Sequence, residues 1–328
     1  MPYAARVQSS LSHVAAVLVA GMLWGTTGTV AHHAPPGSDP MLIGLSTFGF
    51  GGLILMSTRP RRTLALLRER RALPLLAVGA VGVLGYACFY YWSLDLIGVA
   101  AGDALALASG PVWAGVLEMV VDRRPPGWVW LGVISVPVAG ICLLVSSGGS
   151  APASRPVAGA VLGLAAGFGW ALYSWAGSRL IVDPGAGGNG TGGRDSGTVM
   201  AAMFTLASVV LVPWFLLAGP GPLIGAGGLP VLAYLAVVPM ALGYTLFGFG
   251  LRRVPASAAT TLALTEPLTA TLLATSILGE TLTETGWIGL SLVGAGIVLS
   301  AISQGRSVAR RRSASGRRQT RDLSRSGR

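Results

Sequence analysis

Of the 328 residues only 11% are charged, whereas 52% are hydrophobic and 48 are glycine. This composition is typical of a membrane protein made almost entirely of spanning segments, and it excludes a separate soluble domain of ordinary size. All 23 basic residues are arginine, so the formal net charge of +11 has to be interpreted from where the arginines fall.

The chain begins with a short polar arm that carries Arg6, followed by an apolar segment from about Leu11 to Ala31. A basic start and an apolar stretch also occur in signal peptides, and the end of this segment offers small residues for cleavage. However, the segment is longer than the roughly 7 to 15 residues of a signal-peptide core. Because it also has a counterpart later in the chain, we interpret it as the first membrane span.

Nine further apolar segments follow, each close to the roughly 20 residues that a helix needs to cross about 30 Å of hydrocarbon. They lie at 40–58, 72–93, 99–121, 128–147, 157–180, 198–218, 228–250, 256–278 and 286–304. The sequence therefore predicts an all-α integral membrane protein with ten transmembrane helices.

The arginines alternate with the predicted spans. If the N-terminus is cytoplasmic, 22 of the 23 arginines fall on the cytoplasmic side, and only Arg155 lies on the opposite side. Basic residues accumulate on the cytoplasmic side of membrane proteins. Because a wrong number of spans would destroy this alternation, we predict ten helices with both termini in the cytoplasm.

Three sequence patterns of the first half recur in the same order in the second half. They are Gly-Met-Leu-Trp-Gly at 21–25 with Gly-Phe-Gly-Trp-Ala at 167–171, Gly-Tyr-x-x-Phe at 85–89 and 243–247, and Ala-Leu-Ala-Leu before Pro111 with Thr-Leu-Ala-Leu before Pro267. Five spans in each half would make the second half enter the membrane from the opposite side, as in inverted-repeat transporters. We predict repeats at 1–148 and 157–304 and an arginine-rich cytoplasmic tail at 305–328. Chance matching in a glycine-rich and leucine-rich composition is the alternative.

The polar segments predict contact with lipid but no cofactor chemistry. The loop at 59–71 and the tail are rich in arginine and are expected to lie on anionic lipid headgroups. The tail lacks aromatic residues, so nucleic-acid binding is not predicted. The glycine-rich insertion at 183–197 lacks the Lys-Ser/Thr of a phosphate loop. No metal-ligand spacing is present, and Cys88 and Cys142 lie in apolar segments as small core residues.

Several of these patterns together resemble the drug/metabolite transporter superfamily, specifically its EamA-type members. They are Gly-Tyr-x-x-Phe before a short arginine loop, Leu-Thr-Glu-Pro-Leu at 264–268 and Leu-Gly-Glu-Thr-Leu at 278–282. The resemblance is strongest from Gly243 to Ser300. It implies export or exchange of small metabolites such as amino acids, through a cavity formed by both repeats. Glu280 matches a glutamate of the family, whereas the equivalent place in the first half holds Arg124.

Two pairs of aromatic residues occupy matching positions in the two halves. Trp24 and Trp170 lie mid-span beside glycines that permit close helix approach. Tyr86 and Tyr244 place hydroxyl groups within the membrane. We predict that these four residues and Glu266 bind a small-molecule substrate, with ordinary helix packing as the alternative for the tryptophans.

Glu266 stands next to Pro267 near the middle of the predicted span at 256–278. A carboxylate at mid-bilayer costs about 2.5 to 3.5 kcal/mol on insertion scales, so it is expected to face a cavity or a partner. Because burial favours the neutral form of a carboxyl group, we predict that Glu266 contacts the substrate or carries a coupling proton. The alternative is a kink at Pro267, matched by one at Pro111, with a locally satisfied glutamate.

The other ionisable groups in or near the spans are not predicted to act on a substrate. Asp103 lies about five residues into the fourth predicted span, so it is expected to reach water by snorkelling. Glu118 is close to Arg123, with which it is expected to form an ion pair at the cytoplasmic rim. No role is assigned to the histidines at the span edges, His13, His32 and His33.

Three other classes compete with a transporter. A membrane enzyme is disfavoured because the chain has no His-Glu-x-x-His, no Gly-x-Ser-x-Gly and no paired intramembrane aspartates. A passive channel or exchanger and a non-transporting membrane protein stay open. A central acid in a broken helix favours alternating access. We therefore predict a secondary-active transporter of the cell membrane, exporting small metabolites such as amino acids or amphipathic drugs, with substrate, coupling ion and oligomeric state left open.

Overall fold

The computed structural model describes residues 2–123, 128–146, 155–183, 193–277, 279 and 281–303, and every regular element in these ranges is helical. In chain order the helices are α1 (Pro2–Gly25), α2 (Thr27–Ala31), α3 (Pro40–Thr58), α4 (Pro60–Arg68), α5 (Leu73–Ile97), α6 (Val99–Val120), α7 (Trp128–Ser146), α8 (Pro156–Val182), α9 (Ser196–Leu217), α10 (Gly228–Leu235), α11 (Gly243–Leu251), α12 (Ala256–Leu262), α13 (Thr265–Ile277) and α14 (Glu284–Ser303). A π-helical segment, Ala236–Leu242, joins α10 to α11. The predicted tail at 305–328, Arg124 and Glu280 lie outside the described residues.

Eight helical segments in the described part of the chain are long and apolar enough to cross a membrane. They are Leu11–Ala31, Pro40–Thr58, Leu73–Ile97, Ala101–Val120, Pro156–Val182, Ser196–Leu217, Gly228–Leu251 and Glu284–Ser303. Each corresponds to one of the ten predicted spans. The other two predicted spans are not among these eight. One coincides with α7, of which Trp130–Leu144 forms a shorter apolar helix among the described residues, and the segment at 256–278 is divided between α12 and α13.

Acidic residues fix the start of two of the long helices. The Asp39 carboxylate accepts the Met41 N–H at 2.8 Å, and Pro40 occupies the first turn of α3, where an N–H would have no helical partner. The Asp195 carboxylate accepts the Thr198 N–H at 2.9 Å and its hydroxyl at 2.7 Å, which caps α9 in the same way. The sequence therefore sets these two boundaries locally.

The helices of the two halves pack between one another instead of forming separate bundles. From the second half, α8 lies against both α5 and α6, and α9 lies against α3. From the first half, α1 lies against α11 and α13. Large side chains of the shared core, including Phe204 and Phe247, are fully buried. A site at the centre of this bundle therefore receives residues from both halves.

The proline of the predicted span at 256–278 lies just after a break in the helix. Ala263 and Leu264 separate α12 from α13, and Pro267 is the third residue of α13. Proline is tolerated in a first turn because the N–H groups there lack helical acceptors. By contrast, α6 continues through Pro111 as one helix. The break therefore places the start of α13, with Glu266, inside the bundle.

Ion pairs connect several loops and the last turn of α8 at one end of the bundle, which we call the ion-paired end. Arg59 pairs with Asp195 at 3.3 Å, and Arg179 pairs with Asp122 at 3.0 Å. Arg194 pairs with Glu69 at 2.6 Å and also with Asp183 at 3.1 Å. The arginine pattern of the sequence predicts that these segments share the cytoplasmic side of the membrane.

Candidate functional site

A cavity of about 320 Å³ lies inside the bundle. All five residues predicted to bind substrate line it, and so does Pro267, whereas Pro111 does not. The five are Trp24, Tyr86, Trp170, Tyr244 and Glu266. The structure thus gathers at one place residues that are separated by up to 242 positions, from both halves of the chain.

Trp24 is held by the π-helical segment. Its indole N–H donates to the carbonyl oxygen of Pro239 at 2.9 Å. Proline has no N–H to continue the helical ladder, so the ladder is already irregular at this segment. A Cβ on Gly243 would lie 2.7 Å from Trp24 Nε1, so a larger residue at 243 would displace the indole. The glycine of Gly-Tyr-x-x-Phe therefore makes room for this side chain.

Trp170 stands across from Trp24, with their rings edge to face at 6.5 Å. Its benzo edge packs on Gly110, where any Cβ would collide with the ring. Although its side chain is only 2% exposed, its indole N–H has no hydrogen-bond partner among the described residues. The two matched tryptophans therefore differ, because among the described residues only Trp24 has an acceptor.

The tyrosines connect the cavity wall to the aromatic core. The hydroxyl groups of Tyr244 and Tyr173 are 2.8 Å apart, which joins α11 to α8. The Tyr244 ring lies 4.8 Å from Trp24 and 4.3 Å from Phe204. On the other side, the rings of Tyr86 and Trp170 are 6.4 Å apart. Packing of this kind holds the rings in fixed orientations around the cavity.

Glu266 is half-buried at the beginning of α13 and faces the cavity wall formed by these rings. Within the described part of the chain no hydrogen bond or ion pair reaches its carboxyl group. The sequence analysis left open that nearby backbone groups hydrogen-bond the Glu266 carboxyl group. The described contacts include no such hydrogen bond. A polar group in this setting is one that a ligand or a proton can satisfy.

Asp103 is a cavity residue that the sequence interpretation missed. It was expected to reach water by snorkelling, but it is half-buried and lines the same cavity as Glu266. The Tyr90 hydroxyl donates to Asp103 Oδ1 at 2.7 Å. The signal was available, because an acid inside an apolar span is a candidate functional residue whatever its depth.

Glu118 also has a different partner from the one expected. The sequence predicted an ion pair with Arg123, but the carboxylate accepts the backbone N–H of Ser257 at 3.0 Å and its hydroxyl at 2.7 Å. Among the other residues without a predicted role, His13 stacks on Phe249 at 4.2 Å. No group of three or more potential metal ligands occurs among the described residues.

The cavity extends from the middle of the bundle toward one end only. At that end it is lined by Ala31, Pro40 and Leu94, which lie where α2 ends, α3 begins and α5 ends. None of the residues of the ion-paired end lines it. A small molecule in the cavity would therefore be separated from the ion-paired end by packed side chains.

Comparison with known proteins decides the class. The model of the EamA-like transporter family matches residues 11–146 and, a second time, residues 157–302. The chain belongs to the EamA-like transporter family. Because this is a family of transporters, this EamA-like protein is a multi-pass membrane transporter and not an enzyme.

Several curated proteins are similar to this EamA-like transporter along most of its length. It is 31% identical over 284 residues to the uncharacterized transporter YwfM of Bacillus subtilis strain 168, covering 86% of this chain and 91% of that protein. It is 26% identical over 300 residues to the uncharacterized inner membrane transporter YicL of Salmonella typhimurium strain LT2, covering 88% and 95%. It is 28% identical over 244 residues to the threonine/homoserine exporter RhtA of Escherichia coli strain K12, covering 74% and 75%.

A solved crystal structure shares the fold of this EamA-like transporter. The match has a TM-score of 0.72 over 90% of this chain and 98% of the other, with 20% sequence identity. At this identity the likeness concerns the fold alone. The arrangement of helices around the cavity is thus one that another protein also adopts.

Proposed function

We propose that this EamA-like transporter is a secondary-active exporter of the cell membrane, which moves small metabolites such as amino acids or amphipathic drugs by alternating access. The observation that carries the proposal is the central cavity, which is lined by Trp24, Tyr86, Trp170, Tyr244 and Glu266. Its volume of about 320 Å³ suits a small molecule, and its aromatic wall with few polar groups is typical of such sites. The names of the similar proteins YicL and RhtA support the membrane and the export direction.

The packing of the helices supports two inverted repeats within a ten-span fold. In such repeats α1, α5 and α6 of the first half correspond to α8, α11 and the α12–α13 pair of the second. Contact of α5 with α8 is then the counterpart of contact of α1 with α11. Likewise, contact of α6 with α8 is the counterpart of contact of α1 with α13. The separate matches of the family model to 11–146 and 157–302 support the same division.

The ion-paired end is the cytoplasmic end in this proposal. This end carries Arg59, Arg179 and Arg194, and basic residues accumulate on the cytoplasmic side. The cavity then opens outward, and the ion pairs hold the cytoplasmic end closed. Alternating access requires these ion pairs to break so that the cytoplasmic end can open. The arginine-rich loop at 59–71 lies on anionic lipid in this proposal.

Glu266 is the coupling residue in this mechanism. Its carboxyl group lies in the cavity wall without a fixed cation and without a described hydrogen bond, so a proton or a substrate ammonium can occupy it in turn. Among the described residues, the other ionisable groups that line the cavity are five tyrosines and Asp103. The tyrosines are Tyr86, Tyr90, Tyr91, Tyr173 and Tyr244. Release of a proton from Glu266 when a substrate enters would couple export to the proton gradient.

Counterflow in proteoliposomes tests the transport mechanism. Vesicles containing the purified full-length protein are loaded with unlabelled compound and diluted into a trace of the same compound with a radioactive label. The panel contains threonine, homoserine, aromatic amino acids and amphipathic amines. A carrier gives transient accumulation of the label above its equilibrium level, whereas a channel gives monotonic equilibration and a non-transporting protein gives neither. Failure of the whole panel to show accumulation would refute the proposed carrier.

Reporter fusions test the ten-span topology. A reporter that is active only in the cytoplasm should work when it is fused after Gln304, and also when it is inserted in the loop at 59–71. A periplasmic reporter should work in the segment at 32–39. Periplasmic activity after Gln304 would contradict both the span count and the assignment of the ion-paired end to the cytoplasm.

A further inference from the structure

The cavity contains a second carboxyl group that the proposed function does not use. Asp103, near the beginning of α6, and Glu266, at the beginning of α13, line the same cavity from different halves of the chain. We propose that Asp103 and Glu266 together form a subsite for a substrate ammonium group, so that the preferred substrates are small cationic amines. This inference rests on the proposed transport function and specifies the substrate class of its cavity.

Asp103 is placed to contact a ligand. Tyr90 donates to its Oδ1 at 2.7 Å and thereby orients the carboxyl group, while Oδ2 makes no hydrogen bond to any described residue. Glu266 likewise has no hydrogen-bond donor among the described residues. Two carboxyl groups with unused acceptor positions in one cavity match an ammonium group, which offers three N–H donors and a positive charge.

The rest of the cavity wall favours a cation and disfavours an anion. The described residues that line it include no arginine and no histidine, and the chain has no lysine. A substrate carboxylate would therefore meet two acids and no fixed positive charge, which is unfavourable at close range. The faces of Trp24, Tyr86, Trp170 and Tyr244 attract cations through their ring quadrupoles. The wall therefore selects a cationic amine over a zwitterion with the same body.

Trp170 provides an independent indication that a ligand completes this site. Its side chain lines the cavity and is 2% exposed, yet the indole N–H lacks a partner among the described residues. A buried donor without an acceptor is costly, and native proteins rarely keep one without a reason. An oxygen atom of a bound amine, such as a hydroxyl group, would satisfy this N–H once the indole ring turns it toward the cavity. The preferred ligand accordingly carries an ammonium group, an apolar or aromatic body and a hydrogen-bond acceptor.

Matched probes separate the charge of the ligand from its shape. Tyramine and tyrosine share the ring, the hydroxyl group and the amine, but tyrosine adds a carboxylate. The pair 1-amino-2-propanol and threonine differs in the same way. Binding to the purified full-length protein is measured by isothermal titration calorimetry, and transport is measured by counterflow. We expect the affinity for each amine to exceed the affinity for its amino acid by about tenfold or more, because the added carboxylate is repelled by the two acids.

Substitutions test whether both carboxyl groups take part. Asp103→Asn and Glu266→Gln should each weaken tyramine binding by about tenfold or more and change tyrosine binding less. Asp103→Glu retains the carboxyl group and should restore most of the affinity. Asp95→Asn is the matched control, because Asp95 is exposed and does not line the cavity. Elution of each variant as a single species in size-exclusion chromatography checks that it is folded. The comparison of tyramine with tyrosine uses the wild-type protein and therefore does not depend on any variant.

The two proposals fail in different ways. Equal or tighter binding of tyrosine than of tyramine, or an Asp103→Asn variant with unchanged tyramine affinity, would overturn the ammonium subsite and leave the transporter intact. Selective tyramine binding without counterflow of any compound would overturn the transport mechanism and leave the subsite standing.

Discussion

Ser257 donates both its backbone N–H and its hydroxyl to the carboxylate of Glu118, at 3.0 and 2.7 Å, although 139 positions separate the two residues. Ser257 is the second residue of α12, so the carboxylate occupies the place of an N-cap and satisfies donors that the helix itself cannot. Because Glu118 belongs to α6, the cap comes from the other half of the protein. The beginning of α12 is thereby tied to the end of α6.

Removal of this cap is expected to lower stability. Glu118→Ala leaves the Ser257 donors without their acceptor, and we expect a loss of about 1 to 3 kcal/mol, as for a lost hydrogen bond to a charged group. Thermal unfolding in detergent measures the effect. Glu284→Ala, at an exposed position outside the cavity, should leave the melting temperature nearly unchanged. An equal melting temperature for Glu118→Ala and the wild type would contradict a structural role of the cap.

The two tryptophans should respond differently to the same substitution. Trp24→Phe removes the donor to the Pro239 carbonyl and is expected to cost about 1 kcal/mol of stability beyond the packing change. Trp170→Phe removes a donor that has no described partner, so its cost in stability should be smaller. Both variants are expected to insert in the membrane and to transport less, because both rings line the cavity. An equal loss of stability in Trp24→Phe and Trp170→Phe would contradict the difference between the two tryptophans. Normal counterflow in both variants would contradict their part in transport.

Glu266→Gln tests proton coupling. Glutamine retains the shape and the capacity for hydrogen bonding but cannot release a proton. With a pH difference imposed across vesicles, the wild type should concentrate substrate and the variant should only equilibrate it. Glu284→Gln serves as a control because Glu284 is exposed at the beginning of α14. Accumulation against a gradient by Glu266→Gln would rule out the proposed role.

Acid should weaken the cap of α9. Burial raises the pKa of Asp195, but the hydrogen bonds from Thr198 and the charges of Arg59 and Arg62 outweigh burial and hold this pKa below its ordinary value. A carboxyl group with a lowered pKa in the folded state stabilises the fold above its unfolded pKa, and this stabilisation is lost as the pH falls through the folded pKa. The melting temperature should therefore drop as the pH falls below about 3.9, the ordinary aspartate value.

A substitution isolates the contribution of Asp195 to this acid sensitivity. Asp195→Asn can still cap α9 but carries no charge, so its melting temperature should depend less on pH in the acidic range. At neutral pH the variant should be the less stable of the two. Parallel pH profiles for the wild type and Asp195→Asn would show that this group does not contribute.

The parts of the site that the sequence predicted are those marked by repetition or by an unusual residue type. Trp24 and Trp170 were found by their matching positions, and Glu266 by its acid beside a proline in an apolar span. In a membrane these signals are strong, because a polar group in lipid needs a reason to be there. The structure brings these residues to one cavity, and their part in substrate binding stays a prediction.

The missed features depend on contacts between distant parts of the chain. The depth of Asp103 in its span predicts contact with water, but a cavity that reaches this depth makes distance from the membrane surface a poor guide. Proximity in sequence predicts an ion pair of Glu118 with Arg123, whereas Ser257 becomes the neighbour of Glu118 only after folding. The division of the segment at 256–278 after Leu262, by contrast, is indicated by the sequence, because Pro267 has no N–H for the carbonyl of Ala263 and its ring would clash with that carbonyl in a continuous helix.

The contact between Gly110 and Trp170 restricts how this cavity can change during evolution. The alignment of Pro111 with Pro267 puts Gly110 in the position that Glu266 occupies in the second half. Any side chain at 110 would collide with the Trp170 ring, so a symmetrical second glutamate cannot arise by one substitution. A smaller residue would first have to replace Trp170, and this replacement would remove one ring from the cavity wall. Asp103, about two helical turns earlier on α6, is a position from which the first half supplies an acid without that intermediate.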